Sequence, residues 1–145
     1  MSAGWEVWVL DLDSGKRQRI TSSGGHRPVD PHGDGMVYYT KLNVFGLWRM
    51  PVAGGTEELV SDLIRYYNHD DWQLNKTGLY LRLYDPDEQL SVYHQDLQAS
   101  AAPELILRGV ANEILELHDV TADGQRLLLV RVSAPSQDIM AASGW

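Results

Sequence analysis

The residues of this chain best placed to do chemistry are His26, the run His69-Asp70-Asp71-Trp72, and the pair His118-Asp119. Imidazole beside carboxylate can contact a peptide, dock a partner segment or hold a cation. Their spacing argues against a committed metal site. A metal needs three or four converging ligands, and no two histidines stand at i, i+2 or i, i+4 on one strand with a carboxylate. No metal and no cofactor are therefore expected. The plainer role for such Asp and His side chains is to satisfy backbone groups in tight connections. Trp72, likewise, reads more readily as a core residue than as a recognition aromatic. If the set acts together, His26, His69, Asp70, Asp71, Trp72, His118 and Asp119 form a ligand- or partner-binding patch.

Nucleophilic catalysis finds no frame. Ser, His and Asp are all present, but no Gly-x-Ser-x-Gly elbow presents a nucleophile. Gly24-Gly25 and Gly54-Gly55 lack the Lys-Ser/Thr and the following helix of a phosphate loop, and read as turns. The acidic Asp85-Pro86-Asp87-Glu88 turn and Asp11, Asp13 are too short a set for a calcium loop. Nothing singles out a working pair of carboxylates. The expectation is a protein that is not an enzyme.

The elements that must position these residues are short apolar runs rich in Val, Leu, Tyr and Trp, punctuated by Gly, Asp, Pro and Ser, which is the pattern of strands and tight turns. Val110 to Leu117 is the best helical candidate, but Ile114, Glu116 and His118 alternate as a strand would. Superposing the runs reveals a repeat. His26-Arg27-Pro28-Val29 turns through Asp30 to Gly35 into Met36-Val37-Tyr38-Tyr39. His69-Asp70-Asp71-Trp72 turns at Asn75-Lys76-Thr77-Gly78 into Leu79-Tyr80-Leu81, and Leu117-His118-Asp119-Val120 turns at Ala122-Asp123-Gly124 into Leu127 to Val130. Equating Val29, Trp72 and Val120 gives periods of about 43 and 48 residues, within the range of four-stranded propeller blades.

A second hairpin recurs between these. Val7 to Leu12 leads into Arg17 to Thr21, Leu47 to Val52 into Glu57 to Val60, and Ser91 to Leu97 into Glu104 to Leu107. With strands lettered A to D from the centre outwards, the chain reads C-D (1–22), A-B-C-D (23–62), A-B-C-D (63–109) and A-B-C (110–145), the last strand falling at Asp138-Ile139-Met140. The fold class is all-β, about three four-stranded blades of a β-propeller. Trp8, Trp48 and Tyr93 are expected to bury their rings between blades.

Twenty acidic against twelve basic residues give a net charge of −8, which opposes approach to a phosphate backbone, so direct nucleic-acid binding is not expected. No apolar run reaches the ~20 residues of a membrane span, and residues 1–10 lack the features of a secretory signal. The absence of cysteine excludes disulfides and suits cytoplasm or periplasm equally.

Gly46-Leu47-Trp48-Arg49-Met50-Pro51-Val52-Ala53-Gly54-Gly55-Thr56-Glu57-Glu58-Leu59-Val60 resembles the WD-repeat-like propeller repeat of the TolB type. Asp119 to Val130 is similar to that family's Ser-Pro-Asp-Gly turn and following strand, with Thr121-Ala122 in place of Ser-Pro. Ser136 to Met140 resembles the last blade of propellers fused behind a winged helix in bacterial transcription regulators, whereas Ala141 to Trp145 departs from it. The resemblance implies a non-catalytic module that binds a protein or peptide, such as the sensor half of a transcription regulator. The alternative is the accessory propeller of a prolyl-peptidase-like hydrolase. An upstream winged helix in the gene would favour the first, a downstream Gly-x-Ser-x-Gly domain the second. Propellers close with ~4 to 8 blades. The expectation is therefore a part of a longer propeller, or a homodimer in which C-D strands of one copy complete A-B strands of the other, leaving one surplus strand per chain.

Overall fold

The structure, a computed structural model, describes residues 4–99, 101–111 and 113–133. Those residues form twelve strands and a single 3-10 turn at Tyr66–Asn68, with no α-helix among them. The strands are β1 (Trp8–Leu10), β2 (Arg17–Arg19), β3 (His26–Val29), β4 (Met36–Thr40), β5 (Leu47–Pro51), β6 (Glu58–Ser61), β7 (Trp72–Asn75), β8 (Gly78–Tyr84), β9 (Leu90–Gln95), β10 (Glu104–Leu107), β11 (Glu113–Val120) and β12 (Leu127–Ser133). Each pairs antiparallel with its neighbour in sequence, giving sheets β1-β2, β3-β4-β5-β6, β7-β8-β9-β10 and β11-β12. The fold is all-β, as the sequence implies, and no sheet closes on itself. The segment from Val110 is strand from Glu113 onwards. The expected strand at Asp138 to Met140, the segment Ser136 to Met140 and the residues to Trp145 lie outside the described residues.

Alternation of side chains gives each four-stranded sheet two apolar faces. Val37 and Tyr39 of β4, with Met50 of β5, pack on Val7 and Ile20 from the first sheet. The intervening Tyr38, with Leu47, points the other way and meets Trp72, Leu74, Leu79 and Leu81 of the third. Tyr80 and Val92 then cover Leu117 and Val120 of the fourth. The core is therefore three apolar layers between four successive sheets.

Two sequence expectations need correction. Trp8 does not lie between sheets. It is 54% exposed, because Val7 and Val9 take the inward positions and send Trp8 and Leu10 outwards. Trp48 and Tyr93 do pack against the inter-sheet clusters. The second correction concerns register. Trp72 begins β7, whereas Val29 and Val120 end their strands, so the equivalent of those two is Asn75. Side chains from Asp71 to Asn75 run alongside β11: Leu117 donates its backbone N–H to Asp71 Oδ1 at 2.8 Å, Gln73 Nε2 donates to the His118 carbonyl at 2.9 Å, and Asn75 Nδ2 to the Thr121 carbonyl at 2.9 Å. Ending β7 three residues later makes the repeat more regular.

The β7–β8 hairpin shows why turn residues were legible. Asn75 Oδ1 accepts from the Thr77 N–H at 2.8 Å and the Thr77 hydroxyl at 2.7 Å, leaving Gly78 at φ +134°. A Cβ there would collide with the Gln95 carbonyl on β9, so only glycine fits.

The acidic turn at Asp85 is a structural device. Its Oδ1 accepts the N–H groups of Asp87 and Gln89, each at 3.0 Å, and its Oδ2 accepts the Ser91 hydroxyl at 2.9 Å. The Gln89 N–H, against the cost of desolvation and with help from Ser91, Asp87 and Arg108, holds this carboxyl below its ordinary value of 3.8. A depressed folded-state pKa contributes stability that is complete above the unfolded value and is lost as pH falls through the folded one. Asp85→Asn is therefore expected to lower stability at pH 7, with the gap to wild type narrowing below about pH 4. Urea titrations at pH 7 and pH 3 check this, and an equal gap at both pH values would contradict it.

Candidate functional site

The connection from β6 to β7 delivers His69 and Asp70. Its shape is set by Asn68, a fully buried amide. Asn68 Oδ1 accepts the Arg65 N–H at 2.6 Å, while Nδ2 donates to the carbonyls of Leu63 at 3.3 Å and Arg82 at 2.9 Å. This closes the 3-10 turn and pins it to β8, so the two following residues emerge at a fixed place.

His26 arrives from the neighbouring sheet through a bulge in β3. The pairing of β3 with β4 is interrupted between His26 and Val29, and Arg27 lies in the left-handed region at φ +54°. Such a conformation costs a non-glycine residue roughly 1–3 kcal/mol. Its geometric effect is that consecutive side chains, which ordinarily face opposite ways, both reach the β7 segment. His26 meets Asp70, and the Arg27 guanidinium sits 5.3 Å over the Trp72 ring. Burial draws the Arg27 pKa below its ordinary value, and the Asp70 charge works against that shift.

His26, His69 and Asp70 converge. His26 Nδ1 stands 3.2 Å from Asp70 Oδ1, His69 Nε2 stands 3.0 Å from Asp70 Oδ2, and the two imidazole centroids are 5.8 Å apart. Both rings have aromatic support, Trp5 edge-on to His26 and Tyr66 stacked on His69. Their backbones share one tether. The buried Thr40 hydroxyl is 3.3 Å from the His26 carbonyl and 3.4 Å from that of His69, and the Trp72 indole N–H donates to the latter at 2.9 Å.

The remaining residues expected in the patch divide. Asp71, adjacent to Asp70, turns inwards to pair with Arg82 Nε and to accept the Leu117 N–H, so it joins sheets. Trp72 is 1% exposed and belongs to the core. His118 is exposed and lies 3.5 Å from Glu116. Asp119 accepts its neighbour Val120's N–H at 2.8 Å and does not line the cleft. His69, Asp70, Asp71 and His118 border one cleft of about 390 Å³, which Arg27, Tyr67, Arg82 and Glu116 complete. These last four were missed by sequence reasoning. Arg27 alone carried a signal, as a charged residue before Pro28 in a strand end.

A larger cleft of about 510 Å³ opens beside the β7–β8 hairpin, lined among others by Asp34, Lys76 and Asp96 and by Arg49 and Glu58, which pair with each other at 2.9 Å. A further polar cluster lies between the first two sheets. Lys41 Nζ is 3.0 Å from Ser23 Oγ, a distance suited to a base and its nucleophile. The lysine, however, is buried against Glu57 and 4.2 Å from the Trp48 ring. Desolvation would raise the Glu57 pKa, yet hydrogen bonds from Lys41, Tyr39 and Ser23 hold it below its usual value. Ser23 and Lys41 both donate to Glu57, so the cluster closes on that carboxylate. Burial and Glu57 in turn push the Tyr39 hydroxyl far above its usual pKa.

No helix among the described residues is long and apolar enough to cross a membrane. Comparison with protein-family models, curated proteins and solved structures found no match to this chain.

Proposed function

We propose that the chain is a run of about three propeller blades of the TolB type, working as a non-catalytic module that binds a protein or peptide segment in the His69–His118 cleft. The blade reading is supported by the identical meander of the two four-stranded sheets, the apolar layer between each successive pair, and the side-by-side course of β7 and β11. One observation carries the functional reading. Polar side chains from 27, 69–71, 82, 116 and 118 meet in one cleft of mixed charge, with Arg27 held in a costly backbone conformation at its edge. A few convergent polar groups in a concave site are what orients a bound ligand. In a bacterial transcription regulator such a module would serve as the sensor half.

The test is to pan a random peptide library over the immobilised chain and measure the selected peptides by fluorescence anisotropy. The double variant Asp70→Ala/His118→Ala is expected to weaken them at least about tenfold, the scale of one or two lost polar contacts. His32→Ala, outside the cleft, leaves them unchanged. Equal binding by wild type and double variant would overturn the site. Peptide hydrolysis by the purified chain, abolished by one Ser or His substitution, would overturn the non-catalytic reading.

A further inference from the structure

We infer that His26, His69 and Asp70 form a binding site for a transition-metal dication of the zinc class. This goes beyond the partner-binding reading and does not depend on it. The donor atoms, two imidazole nitrogens and a carboxylate oxygen, all lie within 4.8 Å of one another. Ligands bonded at ~2.05 Å to a tetrahedral zinc stand about 3.3 Å apart. His26 Nδ1 stands 3.2 Å from Asp70 Oδ1 and His69 Nε2 3.0 Å from Asp70 Oδ2, so each imidazole faces one carboxylate oxygen at a separation of that order.

The tautomers make the case stronger. His69 Nδ1 is 2.6 Å from the Tyr66 carbonyl. A carbonyl can only accept, so Nδ1 carries the proton and, in the neutral ring, Nε2 turns its lone pair towards Asp70. A metal-binding histidine characteristically donates its other N–H to a backbone carbonyl in this way. His26 repeats the situation from the opposite side. Its Nδ1 is buried and faces Asp70 without an aligned hydrogen bond, one of only two such side-chain atoms among the described residues. A buried nitrogen left without a partner is unfavourable, and a bound ion would satisfy it.

The donor set selects the ion. Two imidazoles and one carboxylate suit zinc, cobalt, nickel or copper, whereas calcium and magnesium prefer oxygen alone. Three protein ligands leave one position of a tetrahedron unfilled. The Asp70 side chain is 59% exposed and borders the cleft, so water or a group on a bound partner can complete the set. Thr40 acts as a positioning residue, since its hydroxyl reaches the backbones of both histidines across the gap between sheets.

The experiment uses the full chain, stripped with EDTA and dialysed. Cobalt(II) is titrated in while the visible ligand-field bands are followed, and zinc is then added in competition. Wild type is expected to take up one equivalent, develop tetrahedral bands and lose them to zinc. Zinc should also raise its melting temperature, because a ligand bound to the folded state stabilises it. His69→Gln and Asp70→Asn, on a loop whose shape Asn68 sets, should each weaken binding at least about 100-fold, since loss of an outer-shell partner alone costs 10–100-fold. His32→Gln should titrate like wild type. The zinc-dependent melting shift, absent in both ligand variants, separates lost binding from lost fold. The inference is overturned if wild type shows neither bands nor a melting shift. It is equally overturned if both ligand variants titrate like wild type.

Discussion

Asp71→Ala is expected to lower the melting temperature by roughly 10 °C, while Asp70→Ala, one residue away, moves it by no more than about 3 °C. The difference follows from where each carboxylate points. Asp71 is buried with Arg82, both side chains 12% exposed, and its other oxygen accepts the Leu117 N–H from the next sheet at 2.8 Å. Removing one partner of a buried ion pair leaves an uncompensated charge and costs about 3–5 kcal/mol. For a chain of this size each kilocalorie shifts the midpoint by about 2–4 °C. Desolvation draws the Arg82 pKa below its ordinary value, with Glu116 and Tyr84 opposing. Asp70 is largely exposed, and pairs of that kind contribute about 0–1 kcal/mol. Thermal melts of the two variants side by side, without added metal, check the contrast. Equal midpoints would mean that Asp71 does not join the sheets as the geometry implies.

That contrast also marks how far the sequence could be read. The hairpins were legible because their turns demand particular residues: Gly78 is fixed by the Gln95 carbonyl, and Asp85 by the amides it gathers. Local chemistry writes such features in local sequence. The candidate site is different. His26 and His69 are brought together by a bulge in one sheet and a buried Asn68 in the next, so their separation along the chain carries no ligand spacing to recognise. The run His69-Asp70-Asp71-Trp72 looked like one polar cluster beside an aromatic, yet it holds a cleft residue pair, a buried tether and a core ring in succession. Reading Trp72 as equivalent to Val29 and Val120 failed for the same reason. The 3-10 turn, held by one amide side chain, shifts where β7 begins, and short turns of this kind have no periodicity to detect. Trp8 was misplaced because alternation in a three-residue strand is too brief to tell which side is inward.

The exposed outer faces of the first and last sheets lead to the second large effect. Trp8 and Leu10 lie opposite Arg19 and Arg17 across the β1-β2 pair, so one face presents apolar and basic groups together. Ile114 lies opposite Val132 and Glu116 opposite Val130 in β11-β12, and Ile114, Val130 and Val132 are all exposed. The second face is thus apolar with an acidic group. Two exposed apolar faces, one on each end of the same stack, fit a second copy turned by a two-fold axis, with each first sheet laid on the other's last. Covering a few hundred Å² of apolar surface at ~25 cal/mol per Å² favours the contact by several kcal/mol. The chain is accordingly expected to run as a homodimer in light scattering at micromolar concentration. Val130→Asp places a charge in that contact, and two-fold symmetry counts the change twice. At about 2 kcal/mol for each buried, unpaired carboxyl, the dimer should weaken on the order of 1,000-fold and dissociate at the same concentration. Val44→Asp, between β4 and β5 on the second sheet, is the matched control and should leave the dimer intact. A wild-type chain that stays monomeric, or a Val130→Asp chain that stays dimeric, would rule out closure by a second copy.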